Sequence, residues 1–469
     1  MMEIFGLYLN RIFGNIKRVQ QELSVIGVVP TIHLWVMIPN HPRGLAYIIG
    51  NEAAERFSYY GMKAILVVFM TTYLMDPSGT LRVMTEGEAT FWYHIFGMAN
   101  YVVPIVGALV ADALWGKYKT IIALSLVYCL GHLALALDET RLGLGIGLAL
   151  IAIGSGGIKP CVSAHLGDQY RNENVAYRSE GYSLFYIAIN FGAFVSTLIT
   201  PLLLEWYGPN IAFGVPGILM ALATYIFWRG RRLYVVQPPT QWRSYLRELI
   251  DAEHRLATAR VLLLFVALSV FWALFDQTGS SWVFQAERMN REIVLPFVGT
   301  YEVVASQIQA LNPILILVLA PLSTWVIYPW LERRGLLSTR GKIATGMLAA
   351  TLAFGIVGYA QRLITAGGAP SMWWQISALF ILTSAEVVVS ITALELAYTS
   401  APTTRRSLMT SFYLLSVALG NGVTALIVGP LRHLVGAPST EGYFYFFAVL
   451  PLVVLAPTWW ILGKITTKP

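Results

Sequence analysis

"NEAAERFSYYGMKAIL", Asn51 to Leu66, decides how this chain is read. It sets Glu52, Glu55, Arg56 and Lys63 into a run that continues as "VVFMTTYL", long and apolar enough to enter a membrane. On an ideal helix at about 100° per residue, with Glu52 at zero, Glu55 falls at about −60° and Arg56 at about +40°. Tyr59, Tyr60 and Lys63 follow at about −20°, +80° and +20°. All six polar groups share one stripe, and the opposite side is apolar. Glu52 and Arg56 are also i,i+4 neighbours able to pair. Ionisable groups are costly inside a bilayer and mark substrate or ion pathways; the plainer alternative is a self-neutralising lock between helices. The stripe is expected to face a cavity.

The rest of the chain supports a membrane setting. Of 469 residues, 56% are hydrophobic and only 12% charged, against about 25% charged in a soluble domain. Mean hydropathy is +0.62. A hydrocarbon core of ~30 Å needs about 20 apolar residues per helical span. Twelve such segments are expected, at 44–74, 88–113, 118–138, 142–166, 179–205, 210–234, 258–282, 304–333, 339–364, 371–401, 404–432 and 441–464. The fold class is therefore an all-α polytopic membrane protein.

A net charge of +7 suggests a nucleic-acid partner only until the charges are placed. With the first span running outward, 23 of the 32 Lys and Arg fall in inner segments and 6 in outer ones. Arg56, Lys63 and Lys159 lie within spans. That bias is the positive-inside rule, and it places both termini in the cytoplasm with no need for nucleic acid. Residues 1–43 are basic and amphipathic and read as an extension on the inner membrane surface; a cleavable secretory signal is not expected there. Cys129 and Cys161 fall in helices without metal-ligand spacing and read as packing residues. Neither an ATP-binding glycine loop nor a nucleophile–base motif stands out. No cofactor or metal is expected, and the chain is not read as an enzyme.

Twelve spans with both ends inside divide into two six-helix halves, 44–234 and 258–464, with a short tail at 465–469. Between the halves, 235–257 carries two prolines, Pro238 and Pro239, near its start. It then spaces Trp242, Tyr245, Leu246, Leu249, Ile250 and Leu256 as a surface amphipathic helix would. Two halves rocking about a central site is the architecture of secondary transporters.

Depth sorts the remaining charges. His94, Asp276 and Lys63 fall towards the outside, Lys159 and Glu395 towards the inside. Lys63–Asp276 and Lys159–Glu395 are therefore expected as gate salt bridges, each joining one half to the other. Protonating a carboxylate breaks such a pair, and a dry setting favours its neutral form. Glu386 precedes Glu395 by nine residues, roughly 180° around a helix, so only one of them is expected in the cavity. Glu395 is assigned there and Glu386 to structure.

At these residues the chain resembles the proton-dependent oligopeptide transporters of the major facilitator superfamily. The resemblance rests on "ExxERFSYYG" (Glu52 to Gly61), "GSGGIKPCVSAHLGDQY" (Gly154 to Tyr170) and "FYIAINFGAF" (Phe185 to Phe194). It continues through "FWALFDQTGSSW" (Phe271 to Trp282) and "AEVVVSITALELAYTSAP" (Ala385 to Pro402). "GALVADALWGKYKT" (Gly107 to Thr120) is similar to the wider superfamily's loop between spans two and three. The resemblance implies symport of protons with di- and tripeptides. Arg56 and Lys159 would then attract the peptide carboxylate and Glu395 the amine. Asn190 and Asn312 would bond the peptide, and Tyr59, Tyr60 and Tyr101 would line the pocket. Trp272 would add to that wall or simply pack. Glu52 and Glu55 would titrate during coupling, with Asp276 and His94. His94 matches a histidine of the animal members tied to proton coupling, though a hydrogen-bonded core histidine would look the same in sequence.

Many bacterial members carry two extra spans between the halves, which the linker here leaves no room for. Asp276 and Lys63 stand where glutamate and arginine are common. Short external loops leave out the extracellular domain of animal members, so a bacterial inner membrane and a monomer are expected. Two alternatives keep the binding site: a same-fold symporter of nitrate, hormones or glucosides, and a non-transporting peptide sensor. The complete ExxER stripe with Lys159 and Glu395 favours peptides, because nitrate has no amine to hold.

Overall fold

The computed structural model describes residues 40–171, 173–239, 255–295, 299–334, 338–399 and 406–466. Residues 1–39 and 240–254, where the surface extension and most of the amphipathic linker were expected, lie outside the described residues. Each of the twelve expected segments carries an α-helix. The amino-terminal half holds α1 (Leu45–Thr72), α2 (Glu86–Val110), α3 (Lys117–Leu137), α4 (Arg141–Asp168), α5 (Arg178–Tyr207) and α6 (Pro209–Arg229). The second half holds α7 (Arg255–Phe275), α8 (Leu311–Leu322), α9 (Thr339–Thr365), α10 (Trp373–Thr399), α11 (Arg406–Val428) and α12 (Glu441–Thr466).

Among the described residues, ten helices are long and apolar enough to cross a membrane, and Tyr413–Val428 of α11 is a shorter apolar stretch. α1 is missing from that set although it has 28 residues; its four ionisable groups lower its apolar character. Helix starts follow local chemistry. Thr85 caps α2 by accepting from the Glu88 amide, with Glu86 and Glu88 in the first turn, where acidic groups suit the helix dipole. Thr140 caps α4 and Ser338 caps α9 in the same way.

The outside of the bundle is apolar, as a lipid solvent requires. Ile218, Trp325 and Val453 are exposed. Aromatic residues gather at helix ends, with Trp206 and Tyr207 closing α5 and Trp459 and Trp460 near the end of α12, all exposed. Inside the first half, α1 packs on α5 and α6, and α3 on α4 and α6. In the second, α9 packs on α10 and α12, and α7 on α11 and α12. Contacts of α2 with α11 and of α5 with α8 join the halves. Lipid gives helices little hydrophobic reason to associate, so close backbone approach matters. At Gly192 a Cβ would lie 2.3 Å from the Ala53 carbonyl oxygen, so only glycine lets α5 lie this close to the charged stripe of α1.

Two segments depart from simple spans. The helix expected over 258–282 breaks after Phe275 into a 3₁₀ turn, Asp276–Gly279, and then a short helix, Ser281–Ala286. Side chains recover the freed carbonyls: Gln277 Nε2 donates to Ala273 O at 2.7 Å and Thr278 Oγ1 to Phe275 O at 2.9 Å. Such broken helices are tolerated at membrane depth where they line a cavity. The span expected over 304–333 opens on a 3₁₀ turn, Ala305–Ala310, and carries a π-turn at Ser323–Ile327. Between these two, the sequence reading missed an antiparallel hairpin of β1 (Glu292–Leu295) and β2 (Gly299–Glu302), with Ile293 opposite Tyr301.

Candidate functional site: a charged cavity between the two halves

A cavity of about 240 Å³ lies where the halves meet. Tyr60 and Lys63 reach it from α1, Tyr101 from α2 and Asn190 from α5. The second half supplies Trp272 and Asp276, Asn312 from α8, Glu386 from α10 and Tyr413 from α11. The tryptophan ring meets Tyr413 edge-on at 5.9 Å, making one aromatic wall.

At the level of Lys63 the cavity is clasped shut. Lys63 Nζ donates to Asp276 Oδ1 at 2.9 Å, and both side chains are about nine-tenths buried. This is the cross-half pair that depth alone suggested. Asn421 Nδ2 donates to Asp276 Oδ2 at 2.7 Å. His94, wholly buried, bridges Asn421 Oδ1 and Ser280 Oγ at 2.8 and 3.0 Å. Beyond this clasp, Gln307 Nε2 donates to the Leu198 carbonyl at 2.8 Å, and Arg288 pairs with Glu86.

Two to three turns earlier on α1, the stripe forms a compact charge cluster. Arg56 Nε donates to Glu52 Oε1 at 2.6 Å and lies 3.0 Å from Glu55 Oε2, the latter outside hydrogen-bonding geometry. All three side chains are buried. Lys159 on α4 acts on Glu55 electrostatically, and its ammonium sits 4.0 Å from the ring centre of Tyr59 and 5.3 Å from that of Tyr101. Two carboxylates thus face two cations, a neutral quartet when all are ionised. Of these groups only the neighbouring Tyr101 reaches the cavity wall, so the quartet stands one layer behind it.

Two expectations need correcting. Glu395 is exposed and is not among the cavity-lining residues, and Lys159 rests on tyrosine rings instead of pairing with it. The opposition of Glu386 and Glu395 around α10 holds, but Glu386 is the one turned inward. Its Oε2 accepts from Asn312 Nδ2 at 2.8 Å, and Asn312 also donates to Thr383 Oγ1. The signal for it was in the sequence: Glu386 is the central residue of α10, at the depth where transporter sites lie. Tyr413 and Asn421 were also missed, because neither carries a charge or falls in a quoted motif. Among the described residues no cluster of His, Cys, Asp and Glu is arranged to hold a metal ion.

Three comparisons bear on this arrangement. The sequence profile described as "POT family" matches residues 118–250 and 242–435. Human "Solute carrier family 15 member 2" is 38% identical over 367 residues, a match covering 68% of this chain and 48% of that protein. "Peptide transporter family 1" of Drosophila melanogaster is also 38% identical, over 360 residues, 67% of this chain and 47% of that protein. Both are animal proteins, and the chain spans about half the length of the curated relatives it matches. Among solved structures, the "In meso crystal structure of the POT family transporter PepTSo" superposes with a TM-score of 0.81 at 32% identity, over 92% of this chain and all of that one.

Proposed function

The chain belongs to the POT family, and from that premise we propose that it imports di- and tripeptides together with protons. The cavity would face each side of the membrane in turn. One observation carries the reading: the cavity wall carries a carboxylate, Glu386 held by Asn312, while the Lys159 ammonium stands behind Tyr101. A peptide is a zwitterion with a fixed backbone and a variable side chain. Glu386 takes its amine in the role first given to Glu395, and Lys159 and Arg56 draw its carboxylate. Asn190 and Asn312 bond the backbone, while Tyr60, Tyr101 and Trp272 leave room for varied side chains.

The charge count suggests how the proton enters. A proton on Glu52 or Glu55 turns the neutral quartet into a net +1 site, which a peptide carboxylate then neutralises. Proton and peptide thereby favour each other's binding, as linkage requires. On the outer side, release of Asp276 from Lys63 opens the clasp, and His94 sits one amide away from that carboxylate. The expected setting is a bacterial inner membrane, with a single chain as the working unit. Support for that setting is the short link, residues 366–372, between α9 and α10, while the inner bias of Lys and Arg supports both termini lying inside. Competition tests the cargo. Uptake of labelled dialanine by proteoliposomes should be suppressed by unlabelled dialanine and trialanine, but not by nitrate or N-acetyl-dialanine. Equal suppression by nitrate would overturn the peptide reading in favour of a same-fold carrier of another solute.

A further inference from the structure

Asn421 uses its amide fully, and the chemistry of its partners leaves only one way round. Its Nδ2 donates to Asp276 Oδ2 at 2.7 Å and to the Val417 carbonyl at 3.0 Å. An ionised carboxylate and a backbone carbonyl can only accept. The nitrogen must therefore face both, and Oδ1 must face His94. That oxygen too can only accept, so the imidazole nitrogen 2.8 Å away, Nδ1, must carry a hydrogen. Turning the amide over would set oxygen against two acceptors at once. The fit is also steric: a Cβ on Gly97 of α2 would lie 2.4 Å from Asn421 Oδ1, so the helix bearing His94 runs past the amide with no side chain between.

We propose that Asn421 is a positioning residue that locks His94 in the Nδ1–H form and leaves Nε2, facing Ser280, as the one ring atom where a proton enters or leaves. In the neutral ring, Nε2 accepts from the Ser280 hydroxyl at 3.0 Å. When a proton from the outer solution is taken up, Nε2 becomes a donor and the Ser280 hydroxyl turns to accept from it. The ring gains one positive charge and no other bond changes. The ionisable groups around His94 are Asp276 from the turn after α7, Lys63 from α1 and its neighbour Tyr93, whose ring stands edge-on at 5.2 Å. Asn421 is the contribution of α11. Asp276 itself also faces Tyr59 from α1, Tyr101 from α2 and Glu386 from α10. This inference rests on the coupling role proposed for His94, but its first test does not need transport.

Nitrogen-15 NMR on histidine-labelled protein in lipid reads the tautomer directly, with the His94 signal assigned by its loss in His94→Gln. Above neutral pH the unmodified protein should show Nδ1 protonated and Nε2 bare; a bare Nδ1 would overturn the proposal. Asn421→Leu, close in size but without the amide, should shift the ring towards Nε2–H, and an unchanged tautomer would equally overturn it. The same variant should move the midpoint of the pH–uptake profile by half a unit or more, and an unmoved midpoint would overturn the link between this tautomer and coupling. Ser280→Ala should keep the Nδ1–H form yet shift that profile too. If proteoliposomes show no proton-driven uptake at all, the transport reading fails while the tautomer result still stands or falls alone.

Discussion

Lys63→Ala is the perturbation whose consequence can be followed furthest. The Lys63–Asp276 pair joins α1 to the turn after α7 at 2.9 Å, with both side chains about nine-tenths buried. Removing the cation leaves Asp276 with the Asn421 amide as its remaining hydrogen-bond donor. Breaking a buried pair from one side costs about 3–5 kcal/mol, because the other charge stays desolvated. When the outer side opens, water reaches the carboxylate and most of that cost disappears. The penalty therefore falls on the outer-closed state and shifts the balance towards opening by roughly a hundred- to several-thousand-fold, at about 1.4 kcal/mol per factor of ten. The double variant Lys63→Met/Asp276→Leu removes both charges and should recover most of the closed population. It still leaves an Asn421 donor unpaired, at about 1–3 kcal/mol, so recovery is incomplete. Spin labels on exposed Leu81 and Leu434, with Cys129 and Cys161 replaced by alanine, report the outer separation of the halves by pulsed EPR. Lys63→Ala should lengthen the main distance, and the double variant should return it. An unchanged distribution in Lys63→Ala, or a double variant no closer to the parent than the single, refutes the reasoning.

Glu386→Gln should cut uptake of dipeptides with a free amine by tenfold or more, while Glu395→Gln stays within about threefold of the parent; the reverse order in an initial-rate assay returns the amine to Glu395. Glu55→Gln should retain peptide counterflow but lose accumulation against a gradient, and loss of both would make the quartet a structural lock. Lys159→Ala should stop proton-driven uptake, with normal accumulation contradicting its place in the quartet. Gly192→Val drives a side chain into the Ala53 carbonyl and should cost about 1–3 kcal/mol by overpacking. That loss would appear as a lower thermal midpoint in detergent, and an unchanged midpoint would show that α5 can move aside.

The fold was largely legible because bilayer thickness fixes span length and lipid excludes charge. What escaped was irregular. The break after Phe275 is written in polar residues, Asp276 to Ser280, that look like span interior when only hydropathy is counted. The hairpin at Glu292 to Glu302 is too short and too mixed to announce itself. For the site, the pairing of Lys63 with Asp276 that depth suggested appears as a contact, because each stands past the middle of its span towards the same end. The same logic misplaced Glu395, since depth says nothing about which face of α10 turns inward. Lys159 shows a further limit: its partners are tyrosine rings, and cation–π contacts leave no charge pattern to match. Asn421 is legible only in three dimensions, where its neighbours' acceptors fix its orientation.

The central claim is that proton movement drives peptide movement through this cavity. Purified protein in liposomes, given dialanine outside and an inward proton gradient, tests it most directly. The account predicts accumulation above the outside concentration, abolished by a proton ionophore and absent in Glu386→Gln. Saturable dialanine binding by the folded protein with no accumulation under the gradient would contradict it.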